Sequence, residues 1–414
     1  MDDKKIHIVG AGMTPFGKMP DRSVKDLTKE AVRKAIEDSA GSLEIIQAAW
    51  FANTRQPMLE GQNTVRGQIA LTPLGFSGIP IVNIENACAS GSSGLLQLVA
   101  YLKAGLADVG LVVGAEKMFF PDKQDAMLAA FLGGTDIHEI SRTKKTVREL
   151  AADIIPDEAK DQNTIGRSFF MDVYAAFARL HMQIYGTTER QLAAVASKNH
   201  WHSTMNPLSQ YQKDMNIDEV LNDKPICWPF TRSMCAPISD GAAALVVCSD
   251  TALSDFDRTR AIEIRGMSLA SGMQREFSDY KNHVGRRAAM QAYSQAGITA
   301  TDIDVVELHD ATAFAEIQQI ENLGLCESGQ GGPFTESGAT RIGGQVPVNP
   351  SGGLVSKGHP VGATGVAQVV ELVQQLRHEA GERQVKGASI AVAENGGGFY
   401  AVEEAATMVT VLAN

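Results

Sequence analysis

The chain has 414 residues, of which 44% are hydrophobic and 21% charged, a balance that fits a folded protein and excludes a disordered one. A formal net charge of -11 lacks the basic face by which nucleic acids are bound, so no nucleic-acid partner is expected. The length allows more than one domain, and 39 glycines against 6% aromatic residues favour an α/β plan with many tight turns.

At the N-terminus Met1 to Lys5 lead only into the short apolar run 6–9, so no signal peptide is expected. No apolar stretch approaches the roughly 20 residues of a membrane span. The cysteines (Cys88, Cys227, Cys235, Cys248 and Cys326) are odd in number and without close pairing. That predicts reduced thiols, no disulfide framework, no CxxC metal site and a cytoplasmic location.

Apolar spacing predicts a helix over 23–39 with Ser23 as its N-cap, then a strand over 48–52. The strand-like run 79–87 ends at Cys88. A Gly/Ser-rich turn there opens the helical segment 95–105, and the strand 109–116 ends on Glu116. A less regular stretch, 118–230, contains the polar run 143–163 and reads as an inserted loop domain, the expected shaper of the substrate mouth. A second helix, 285–297, precedes the strand 305–310. The Pro/Gly-rich segment 331–353 reads as a long ordered loop, and His359 stands before the helix 366–376 and the strand 388–394, which ends on Glu394. The same order of helices and strands occurs twice. It predicts two pseudo-symmetric halves, 1–255 with the insertion and 256–414.

Five positions carry the chemistry expected of this plan. Cys88, between a strand and a helix, would feel the positive end of the helix, which favours thiolate, with a backbone N–H at hand for an oxyanion. A buried structural cysteine is the other reading of Cys88. His359 lies within the five glycines and two prolines of 349–365, a loop shaped as if around a ligand. Convergence of the two halves would bring it to Cys88 as base, whereas alone it reads as a capping or exposed histidine. His309 and Asp310 end a strand, a usual address of α/β active sites and equally that of a surface histidine. Glu394 precedes three glycines that could admit a ligand against bare backbone. It is either a proton carrier raised by burial or a solvated carboxylate.

Together, NACASGSSG at 86–94, MCAPISDGAAALVV at 234–247, VELHDA at 306–311 and NPSGGLVSKGHPVGATG at 349–365 resemble the thiolase superfamily along nearly the whole chain. The HD-containing block resembles the sterol-carrier-protein-like branch, where other thiolases carry Asn-Glu-Ala-Phe. The resemblance implies a five-layered αβαβα thiolase fold, in a homodimer or homotetramer. It implies Cys88 as acyl-accepting nucleophile, His359 as its activator, and His309 fixing a water in the thioester oxyanion hole. The backbone N–H groups of Cys88 and Gly396 would form a second hole. This chain departs from the pattern at two places. Ala311 and Thr312 stand where the branch has cysteine and phenylalanine, and Glu394 stands where other thiolases have a second cysteine. Glu394 is therefore the expected acid/base at the substrate α-carbon.

The activity so implied is cleavage of a 3-oxoacyl-CoA by CoA, or the reverse Claisen condensation, with CoA as cosubstrate, no permanently bound cofactor and no metal. A retro-aldol lyase acting on a 3-hydroxyacyl-CoA and a non-catalytic thioester-binding or scaffold subunit are the alternatives. The chain has no CxxC ribbon, and relatives of this branch act with a small zinc-ribbon/OB-fold partner, so such a partner subunit is a further implication.

Overall fold

The computed structural model describes residues 4–160 and 167–414. The end of the polar run, 161–163, and the first residues of the chain lie outside the described residues. The strands are β1 (Ile6–Met13), β2 (Ala48–Ala52), β3 (Ile81–Ile84), β4 (Val109–Glu116), β5 (Pro225–Cys227), β6 (Phe230–Thr231), β7 (Gly241–Ser249), β8 (Ile262–Ser271), β9 (Val305–Glu307), β10 (Ile390–Gly397) and β11 (Ala406–Ala413).

Nine of these form one sheet in the order β3-β2-β4-β7-β1-β8-β11-β10-β9. Its seam is short: His7 lies opposite Glu263 and Ile8 opposite Ile262. Each side of the seam repeats the same plan. In the first half β2 is parallel to both β3 and β4, and β4 runs antiparallel to β7. In the second half β9 is parallel to β10 and to a bridge at Val348, and β10 runs antiparallel to β11. Cys88 thus follows β3, and His359 follows its counterpart, the bridge at Val348.

The layers follow from which faces are apolar. β4 is buried along its whole length, as strands covered on both faces must be. Between the two halves of the sheet, Leu95, Leu98 and Leu102 of the helix Ser90–Lys103 pack with Val366, Val369 and Val373 of the helix Thr364–Leu376. On one outer face Leu27, Ala31 and Ala35 of the helix Val24–Asp38 cover Val9, Leu111 and Val246. On the other, Ala288 and Ala292 of the helix Val284–Ala296 cover Val392 and Val411. The result is the expected five-layered αβαβα thiolase fold. Ser23 caps its helix as predicted: its Oγ accepts from the Asp26 N–H and the Asp26 carboxylate accepts from the Ser23 N–H.

The stretch 118–230 differs from the expectation of irregular structure. It carries the helices Gln124–Leu132, Ile140–Glu149, Phe169–Tyr185 and Glu189–Thr204 and the β5–β6 hairpin. Val173, Phe177, Leu192 and Val195 close on Phe230 and on Phe314 of the second half. Alanines between the large side chains (Ala175, Ala176, Ala178) dilute the apolar period while favouring helix, so the sequence pattern understates it. A short helix, Gly331–Glu336, likewise interrupts the expected loop 331–353.

The middle layer leaves no room for side chains where β4 meets the second half. A Cβ on Gly114 would stand 2.3 Å from the Gly362 carbonyl oxygen and 2.7 Å from Ala363 Cα. Gly114→Ala is expected to destabilise the fold by ~1–3 kcal/mol, the cost of overpacking a filled core. The check is the urea midpoint followed by circular dichroism, with Gly17→Ala, whose Cβ would meet nothing within 4 Å, leaving that midpoint unchanged.

Candidate active site

Cys88 and His359 both sit on sharp backbone elbows. Ala87 has φ +49° and Gly358 φ +113°, so the residue before each functional side chain lies at positive φ. At Ala87 this costs on the order of 1–2 kcal/mol. The Ala87 N–H is held by Glu85 Oε1 at 2.7 Å, and the Ala87 carbonyl accepts from Ser90 Oγ at 2.6 Å. At Gly358 a Cβ would meet Ser239 Oγ at 2.6 Å. Two helices from opposite halves then deliver their N-termini to one point, and Cys88 Sγ lies 3.3 Å from His359 Nε2.

The hydrogen-bond network assigns the tautomer of His359. Thr364 Oγ1 donates to the Pro360 carbonyl at 3.0 Å, so its lone pair receives the proton on His359 Nδ1, 2.7 Å away. Nε2 is then the acceptor facing the Cys88 thiol. Burial, followed by the charges of His309 and Arg55, holds the imidazole well below its ordinary pKa, so it is neutral near pH 7. The thiol departs from the sequence expectation. Burial pushes it up to about 11, against the lowering influence of Arg55 and of a hydrogen bond from the Gly398 N–H. Desolvation outweighs the helix end, because the sulfur sits against a largely apolar cavity wall. The resting pair is a thiol hydrogen-bonded to a neutral imidazole.

His309 stands just beyond β9, its ring 5.1 Å from that of His359 in an edge-on arrangement. Both of its ring nitrogens are buried without a partner, and burial lowers its pKa to about 4. Such an orphaned donor and acceptor in a cavity is suited to hold a water or a substrate oxygen. One nitrogen from each histidine and the Cys88 sulfur lie within 4.8 Å of one another, a set that could also ligate a soft cation. Asp310 points the other way. Its carboxylate accepts from the Leu354 N–H at 2.7 Å and from Asn199 Nδ2 at 2.9 Å, pinning the glycine-rich loop behind His359.

Two expected site residues lie elsewhere than anticipated. Glu394 does not line the cavity: its Oε2 accepts from the His309 N–H at 3.0 Å, behind the histidine. It is fully buried, and desolvation, then the Glu404 charge, raises its pKa well above the ordinary value. Gly396 is paired within the sheet to Thr407, and a Cβ there would run into Glu404 rather than into a ligand. Gly397 abuts the Asn86 carbonyl oxygen, so the glycine run admits the Cys88 turn itself. The N–H that reaches the sulfur is that of Gly398, because β10 extends to Gly397 and carries the glycines further than the sequence pattern suggests.

Cys88, His309 and His359 open on a cavity of about 210 Å³. The inserted segment supplies Met118, Leu128, Phe131, Phe170 and Tyr174 to its wall, and Arg55 enters from the end of β2. Cys235 also reaches this wall beside Ala311, whose carbonyl accepts from the Ala236 N–H at 3.0 Å. Arg55, Tyr174 and Gly398 carry no local sequence signal. They become site residues only through the packing of the insertion and the end of β10.

Comparison with known proteins agrees with this fold. The family model for the thiolase N-terminal domain matches residues 6–224, and that for the thiolase C-terminal domain-like region matches 267–412. Sterol carrier protein 2 of Bos taurus is 35% identical over 400 residues, covering 94% of this chain and 70% of its own length. An acetyl-CoA acetyltransferase of Methanothermobacter thermautotrophicus is 34% identical over 400 residues, with 95% and 97% covered. Among solved structures, the Ltp2-ChsH2(DUF35) aldolase superposes with a TM-score of 0.75 at 21% identity, covering 98% of this chain and 97% of its own. With both halves matched in order, and the paired cysteine and histidine at the junction of the halves, the chain belongs to the thiolase family.

Proposed function

We propose that this protein is an acyltransferase that cleaves a 3-oxoacyl-CoA with CoA, or runs the reverse condensation, through an acyl group on Cys88. The observation that carries this reading is the 3.3 Å contact between Cys88 Sγ and the unprotonated Nε2 of His359. Such a pair has a nucleophile and, within hydrogen-bond reach, a base whose tautomer a third group fixes. The acetyl-CoA acetyltransferase relative supports CoA as cosubstrate.

The proton needs of both half-reactions close on this pair. As the Cys88 sulfur attacks the C3 carbonyl, its proton passes to His359 Nε2. The C2–C3 bond breaks, and its electron pair stays on C2 as the enolate of the departing acyl-CoA. The imidazolium returns the proton to C2. In the second half, the thiol of CoA gives its proton to His359 as its sulfur takes the acyl group, and Cys88 leaves as thiolate and recovers the proton. A second cysteine, absent at positions 311 and 394, is not required. A water on the unpartnered nitrogens of His309 would share the enolate charge with His359, and the N–H groups of Cys88 and Gly398 would hold the oxyanion of the acyl-cysteine step. Glu394 acts here as a positioning residue that fixes the His309 backbone. A homodimer or homotetramer and a small partner subunit belong to the same reading, the latter supported by the two-part name of the aldolase neighbour. The missing second thiol favours one other activity, retro-aldol cleavage of a 3-hydroxyacyl-CoA, which needs no nucleophile.

Quenching with acyl-CoA is expected to leave an acyl adduct on Cys88 by intact-protein mass spectrometry, lost in Cys88→Ala. Turnover of the 3-hydroxy but not the 3-oxo thioester, with no adduct, would establish the lyase instead. Because the thiol is raised by burial, alkylation of Cys88 by iodoacetamide should climb from about pH 7 to about pH 10 as thiolate forms. A plateau already reached at neutral pH would mean a thiolate–imidazolium pair. Glu394→Gln keeps a carbonyl oxygen for the His309 N–H and should retain turnover within about threefold, whereas Glu394→Ala, which leaves that donor buried and unpaired, should lose about tenfold or more. Loss in Glu394→Gln as deep as in Cys88→Ala would return the proton transfer to Glu394.

A further inference from the structure

Arg55 is an unusual wall for an apolar cavity. It follows β2, and its backbone N–H is held by Glu116 Oε1 at 2.9 Å. Its side chain is only 7% exposed, and it lines the same cavity as Cys88. The guanidinium lies 4.8 Å from the Phe131 ring centroid, and Nη1 donates to the Ala130 carbonyl. Nε is buried without an acceptor, and among the described residues Nη2 has none either.

The other two arginines on this wall are already neutralised. Arg167 Nε donates to Asp172 at 2.9 Å, and Arg232 pairs with Asp223 at 2.9 Å. Arg55 has no carboxylate in ion-pair range among the described residues, and no aspartate or glutamate lines the cavity. Burying a guanidinium without an anion is costly, and a backbone carbonyl could be satisfied as well by a neutral donor. Nε and Nη2, both without acceptors, form the edge of the guanidinium that can grip a carboxylate through two parallel hydrogen bonds once the side chain turns it to the cavity.

We propose that Arg55 binds a carboxylate carried by the acyl group, so that the preferred substrate is the CoA monothioester of a dicarboxylic 3-oxo acid. Met118, Leu128 and Phe131 would pack on its carbon skeleton while Cys88 takes the acyl carbon. The assignment rests on the thioester chemistry proposed above and adds the class of acyl group to it.

The test is calorimetric binding to the full-length Cys88→Ala protein, which cannot form the acyl-enzyme and so reads binding alone. Glutaryl-CoA is compared with pentanoyl-CoA, and adipyl-CoA with hexanoyl-CoA, pairs of equal carbon length that differ at the far end. The expected result is ~10- to 100-fold tighter binding of the carboxylate member, the worth of hydrogen bonds to a charged group. In the double variant with Arg55→Met the ratio should fall to about one, and Arg55→Lys should recover part of it. A ratio near one with Arg55 present overturns the proposal, even if the Arg55 variants do not fold. An equal loss for both members at an unchanged ratio also overturns it and makes Arg55 a tie to the insertion or a neighbour of the thiol. Failure of all four thioesters to bind overturns the thioester reading itself, and this assignment with it.

Discussion

Everything at the site depends on how closely two helix N-termini from opposite halves approach. A Cβ on Gly91 would stand 3.0 Å from the Gly362 carbonyl oxygen, and one on Gly365 would stand 2.4 Å from Asn395 Oδ1 and 2.7 Å from the Ser92 N. Ser92 Oγ donates to that same Asn395 Oδ1 at 2.7 Å, joining the first central helix to the end of β10. Cys88 and His359 lie just ahead of the helices that begin at Ser90 and Thr364. Any widening of the middle layer would open their 3.3 Å contact. The cost falls on the backbone at Ala87, whose φ is positive, and the filled core between the sheets holds it there.

A second layer of support is polar and follows the pseudo-symmetry. Glu116, at the end of β4, accepts from the Thr54 and Arg55 N–H groups after β2, and Glu394 of β10 accepts from the His309 N–H after β9. The two halves use one device, a buried glutamate on one strand that fixes the loop leaving its neighbour. One half thereby presents an arginine to the cavity and the other a histidine. The glycine-rich loop of His359 is pinned in the same manner, by Asp310 on the Leu354 N–H and by Glu307 on the Ser351 N–H. Since these groups hold backbone, their substitution should act on the geometry of the site through the residues they position.

The electrostatics of the site come from enclosure. Burial raises the Cys88 thiol and lowers both histidines, so all three groups stand uncharged near neutral pH. Arg55 is the exception, a cation on a wall without carboxylates among the described residues. The insertion shapes much of the wall that these groups share.

Much of this was legible in the amino-acid sequence. Hydrophobic period and capping located the helix at Ser23 and the strand at 48–52, and the doubled order of elements indicated paired halves. Glycine-rich turns before two helices marked Cys88 and His359, because an elbow leaves its trace in the residues that tolerate it. The helical character of 169–204 was obscured by alanine-rich spacing, and the glycines at 396–398 did not reveal which N–H faces the sulfur, since that depends on where β10 stops. The sequence by itself marked Cys88, His359 and the doubled order of elements, which rest on local pattern, and its blocks carried the resemblance that implies the layered frame. Only the tertiary structure decided that the thiol is neutral, that Glu394 stands behind His309, and that an arginine from β2 reaches the cavity. Burial and contacts between residues far apart in the chain set those properties, and no local pattern encodes them.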